Sequence, residues 1–145
     1  MNCYKLVQRG EIIAMATLSP YIYSADARKQ ADFYVSVFSG EIISIQSYGD
    51  LPGMDESKKH LVMHLELQAL GLRFFLADAG ADASNRGMGM DLALTFKDEE
   101  EARTIYDGLA VDGDVIMPYD RMFWGTMLGR VRDRYGVMWQ VATET

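Results

Sequence analysis

The chain has 145 residues, 49% hydrophobic and 24% charged, the make-up of one globular domain with room for a sizeable core. Its net charge of -7 opposes phosphate backbones and anionic lipid, and no apolar run reaches the roughly 20 residues of a membrane span, so neither nucleic acid nor a membrane is an expected partner. The opening MNCYKLVQRGEIIA scatters charges among its apolar residues and does not read as a signal peptide, and Cys3, the single cysteine, cannot close an internal disulfide; a reducing, cytoplasmic setting is expected.

Residues 1–14 read as an extension, either a hairpin turning at Arg9-Gly10 or a tail. The segment from Ser19 to Ser24 reads as a strand. Ala27, Ala31, Tyr34 and Phe38 then recur at helical spacing. Gly40-Glu41-Ile42-Ile43 turns into a second strand, followed by an irregular stretch to Lys59. HLVMHLEL alternates: Leu61, Met63, Leu65 and Leu67 point one way, and His60, Val62, His64 and Glu66 the other. Gly71 introduces a fourth strand, LRFFLA. The Gly-, Ala- and Ser-rich piece from Ala79 to Gly89 reads as a linker.

The second half repeats this order. DLALTF alternates as a strand, and Asp98 with Glu101 has the form of a helix capping pair. Ala102, Ile105, Tyr106 and Leu109 mark the helix. Gly113-Asp114-Val115-Ile116 opens another strand. Met117 to Gly125 looks irregular, and Gly136 leads into VMWQVA. Laying Asp26 over Asp98 brings Phe33 over Ile105, Tyr34 over Tyr106 and Val37 over Leu109. A second match lays Gly71-LRFFLA over Gly136-VMWQVA. The chain is therefore expected to be α+β, with a single domain over 15–145 made of two βαβββ modules, 17–79 and 89–143. On the repeat, Trp139 matches Phe74 on the helix-facing side of a last strand.

Paired βαβββ halves resemble the glyoxalase, bleomycin-resistance and extradiol-dioxygenase superfamily, also called vicinal oxygen chelate proteins. Within it the chain resembles PhnB-like proteins. The carrying residues are SPYIYSADARKQADFYVSVFSGEI, MHLEL, FLADA and above all FWGTMLGRVRDRYGVMWQV, with Trp124-Gly125, Asp133, Gly136 and Trp139. The resemblance implies curved mixed sheets around a cavity, a homodimer, and no assigned reaction. It also implies where a divalent metal would be held: at the first and last strand of each half, which here are Ser19, Asp91, Phe75 and Gln140.

The chemistry at those positions is poor. Phe75 cannot ligate, Ser19 is a weak neutral ligand, and Asp91 with Gln140 offers two oxygens where catalytic zinc keeps about three protein ligands. His60 and His64 lie about 13 Å apart along a strand, too far to share one ion. No cofactor is expected, with a weakly held divalent metal as the alternative.

If helices cover one face of each sheet, the opposite faces line the cavity. They carry Ser19, Tyr21, Tyr23, His64, Glu66 and Phe75 from the first half and Asp91 and Gln140 from the second, with Trp124 at a rim. This aromatic wall with few polar groups points to a metal-independent protein that binds a small aromatic or amphipathic molecule. A metal-dependent lyase, isomerase or dioxygenase is the alternative. The Met- and aromatic-rich Met117–Gly125 segment is expected near a dimer interface or the cavity mouth.

Overall fold

A computed structural model describes residues 15–80, 83 and 86–144. The extension 1–14, with Cys3 and Arg9-Gly10, lies outside the described residues, as does part of the Ala79–Gly89 linker. In chain order the elements are β1 (Tyr21–Ser24), α1 (Ala27–Phe38), β2 (Glu41–Ser47), two short 3-10 turns, β3 (Val62–Ala69) and β4 (Leu72–Asp78). They are followed by β5 (Leu92–Phe96), α2 (Glu99–Ala110), β6 (Asp114–Arg121), β7 (Met127–Arg132) and β8 (Met138–Thr143).

Two four-stranded sheets result, ordered β1-β4-β3-β2 and β5-β8-β7-β6. Each is mixed, because its first and last strands pair in parallel while the others are antiparallel. The repeat is visible atom by atom. Tyr21 faces Phe75 where Ala93 faces Gln140. Ala79 N donates to Ser24 O and Glu144 N to Phe96 O, each at 2.9 Å. The Asp26 and Asp98 side chains cap the two helices, accepting from Lys29 N and Glu101 N at 3.2 Å. Gly40 and Gly113 occupy matching turns where any Cβ would strike a carbonyl of the neighbouring strand, that of Gln68 or Arg132.

Two local expectations are corrected. Val62 is fully buried with Leu65 and Leu67, whereas strict alternation put it on the opposite face with His64. The β2–β3 register jumps there, from Gln46 opposite His64 to Ser47 opposite Val62, so Met63 is the extra residue of a bulge and the phase of the strand flips across it. Met117 to Arg121, read as irregular, belongs to β6. Pro118 is tolerated because β6 is an edge strand, and the register shifts at Met117 blur its alternation.

The helix-covered faces of both sheets converge on one core. Trp139, fully buried as expected of it, packs against Tyr34 and Phe38 of α1 and Phe74 of β4, with ring centroids 5.5, 5.3 and 6.1 Å away. The helices touch where Gly108 meets Val37. Asp133, in the β7–β8 turn, ties the modules together. Its Oδ1 accepts from Tyr135 N (2.8 Å) and Val137 N (3.1 Å), and its Oδ2 from Tyr34 Oη (2.6 Å) and Trp139 Nε1 (2.8 Å). With the covered faces turned inward on a shared core, the opposite faces of the two sheets point away from each other within one chain.

Candidate functional site

The open face of the first sheet carries a cluster of rings. Tyr21 on β1 stacks on Phe75 of β4 (5.8 Å) and leans on Tyr23 (5.3 Å) and on His64 of β3 (5.6 Å), while His64 stacks on Phe75 (5.1 Å). Tyr21 Oη lies 3.0 Å from His64 Nδ1. Burial, then the neighbouring Tyr23 and Tyr48, pushes the Tyr21 hydroxyl up, so it stays neutral. A neutral hydroxyl pairs with that nitrogen as donor or as acceptor according to the imidazole tautomer. Glu66 does not reach for His64. It pairs with Arg73 Nε at 2.6 Å. Tyr21 and Tyr23 remain 43% and 56% exposed, a large aromatic surface that the described residues leave open.

The open face of the second sheet is polar. Asp91, just before β5, takes a forked hydrogen bond from Arg130 of β7: Nε to Oδ2 at 2.6 Å and Nη2 to Oδ1 at 3.0 Å. That bond holds the Asp91 carboxyl below the ordinary carboxylate range against the opposing effect of burial, and raises Arg130 in turn. Gln140 on β8 stands directly opposite Arg130. Trp124 is elsewhere, on the β6–β7 turn, edge-on to Phe123 (4.8 Å). Arg121 braces this turn, donating to Gly125 O (2.7 Å) and to both Glu99 oxygens (2.9 Å each).

The structure thus gathers Tyr21, Tyr23, His64 and Phe75, with Glu66 beside Phe75 in register, into one group. It places Asp91 and Gln140 in a second group on the other sheet. Ser19 precedes β1 and Trp124 stands apart on its turn; neither joins a group through a described contact. Two clefts, of about 550 and 430 Å³, lie at the β3–β4 hairpin, reaching Arg73, and beside Tyr48, Met54 and Lys58; neither is lined by the ring cluster or by Asp91, Arg130 and Gln140. Sequence reasoning missed Arg130 and the role of Asp133. The alternation Gly129-Arg130-Val131-Arg132 carried the signal for the first, since both arginines fall on the face opposite two buried residues.

A divalent metal does not fit the residues at the expected positions. Phe75 has no donor atom and sits in the ring stack. Both Asp91 oxygens are committed to a guanidinium whose charge repels a second cation. Among the described residues no three His, Cys, Asp or Glu side chains gather into a ligand set.

A family model described as 3-demethylubiquinone-9 3-methyltransferase matches residues 16–142, nearly the whole chain. The chain belongs to this PhnB-like family. It is 23% identical over 136 residues to Protein YjdN of Escherichia coli, covering 86% of this chain and 92% of that protein. A solved Bacillus cereus structure, a putative 3-demethylubiquinone-9 3-methyltransferase, PhnB protein, is 28% identical with a TM-score of 0.72, covering 89% of this chain and all of that one. The fold extends to the fosfomycin resistance protein FosX of Listeria monocytogenes, solved with Mn(II) and sulfate, at 11% identity and a TM-score of 0.64 over 92% and 95% of the chains. The glyoxalase-type α+β fold of two βαβββ modules is therefore that of this PhnB-like protein.

Proposed function

We propose that this PhnB-like chain is a metal-independent small-molecule-binding protein whose site is completed by a second copy. The observation that carries this reading is the open ring cluster of Tyr21, Tyr23, His64 and Phe75. It is an aromatic wall with no opposing surface among the described residues, because the polar Asp91–Arg130–Gln140 face points the other way. Two copies related by a two-fold axis can set the aromatic face of one against the polar face of the other twice over, which closes two equivalent cavities. The methyl transfer in the family's description finds no support in this chain: among the described residues no strand runs into a glycine-rich nucleotide loop.

Light scattering at micromolar concentration should give about twice the 16.3 kDa chain mass. Native mass spectrometry of protein purified without chelators should show an organic adduct rather than a stoichiometric metal. A monomer without adduct, or a stoichiometric ion at neutral pH that Asp91→Ala or Gln140→Ala abolishes, overturns the reading.

A further inference from the structure

We propose that Arg130 is the receptor for a ligand carboxylate, so that the molecule bound is a planar aryl carboxylic acid. The assignment of the acid stands on one chain; only the placement of the aryl ring rests on the two-copy site above.

A guanidinium carries five N–H donors in one plane. Asp91 engages Nε and Nη2, the side edge of Arg130. Among the described residues Nη1 makes no hydrogen bond, so the end edge, with parallel donors on Nη1 and Nη2, is available. That edge matches the two oxygens of a carboxylate. The Arg130 side chain is 31% exposed, whereas Asp91 is 16% exposed, so the arginine is the more accessible partner. Asp91 is a positioning residue: it fixes the plane of the fork without reaching the ligand. Gln140, directly across from Arg130, adds an amide donor, and Ala93, next in the same row, leaves space above the sheet.

Arg132, two residues along β7, lies on the same face as Arg130 and is balanced by Asp114, directly across from it on β6 at 3.7 Å. Asp120 lies on this face as well, across from Leu128, so the fork of Arg130 and not a net positive field recognises the acid. An incoming carboxylate meets the guanidinium first, with Asp91 beyond it, so attraction over the shorter distance exceeds repulsion over the longer one.

The test compares 2-naphthoate with 2-naphthamide, which share the ring system and differ in charge and in the second oxygen. Isothermal titration of the full chain should show the acid binding about tenfold tighter or more. The side-chain Nε–H resonance of Arg130 should shift with the acid only. Arg130→Gln should erase the preference while leaving the amide unaffected. Arg130→Lys, which keeps the charge without the fork, should restore part of it, and carries the test if the glutamine variant does not fold. Tyr21→Ala should weaken both probes alike. Equal binding of acid and amide by the wild type, no binding of the acid, or a preference that survives both Arg130 variants overturns the proposal. Light scattering on the same samples separates the two readings. A monomer that still prefers the acid rejects the two-copy site alone, and a dimer without the preference rejects the role of Arg130 alone.

Discussion

Removing one oxygen, that of Tyr34, tests the junction between the modules. The Tyr34 hydroxyl is fully buried; it donates to Asp133 Oδ2 at 2.6 Å and accepts from Gln30 Nε2 at 2.8 Å. Burial above all, and then the Asp133 carboxylate, pushes its pKa well up, so it is a proton donor at every working pH. Tyr34→Phe keeps the ring against Phe38 and Trp139 and deletes only the link. Losing a hydrogen bond to a charged acceptor costs about 1.5–3 kcal/mol. Gln30, whose Oε1 has no partner among the described residues, loses its Nε2 partner as well, adding about 1 kcal/mol. The variant no longer desolvates a hydroxyl, which offsets about 1 kcal/mol. The expected net loss is about 1.5–3 kcal/mol, which with a urea slope of about 2 kcal/mol/M lowers the midpoint by about 0.75–1.5 M at unchanged slope. Protein concentration must be matched, since association adds to apparent stability. A loss below about 0.5 kcal/mol, the range of surface substitutions, would mean that the Asp133 junction is hydrated and that the modules are not joined through it.

Trp139→Ala should cost about 3–5 kcal/mol in the same assay, and a near-neutral result would mean that the sheet faces are reversed. Gly113→Ala should cost more than about 2 kcal/mol because its Cβ meets the Arg132 carbonyl. Gly53→Ala, in open space at φ +74, should cost only the left-handed backbone penalty of about 1–2 kcal/mol; equal losses at the two sites would remove the steric argument. The folded-state pKa of Asp91 lies below its ordinary 3.8, so its pairing stabilises the native state above that pH and the contribution disappears as pH falls below it. The stability deficit of Asp91→Asn measured at neutral pH should therefore shrink through acid titration, and a deficit constant down to about pH 2 would contradict the pairing.

Much of this molecule is legible in its sequence because the signals are local and occur twice. Helical spacing at Ala27, Ala31, Tyr34 and Phe38 and the Asp98 cap each report short-range geometry. The match of Phe74 to Trp139 placed a core residue from the repeat alone, since the same unit must bury the same face. His64 and Phe75 were placed on one face for the same reason. The bulge at Met63 was not visible, because an extra residue is defined by the partner strand it fails to pair with. Asp133 was legible as part of a motif, but its partner Tyr34 comes from the other module. The sequence by itself determined two βαβββ units and which side of most strands is apolar. Only the tertiary structure decided that the two covered sides share one core, which turns the aromatic and polar faces away from each other, and that Arg130 occupies both oxygens of Asp91. Periodicity records the environment of each strand, whereas the pairing of side chains from strands that are not neighbours depends on how the strands are ordered and stacked.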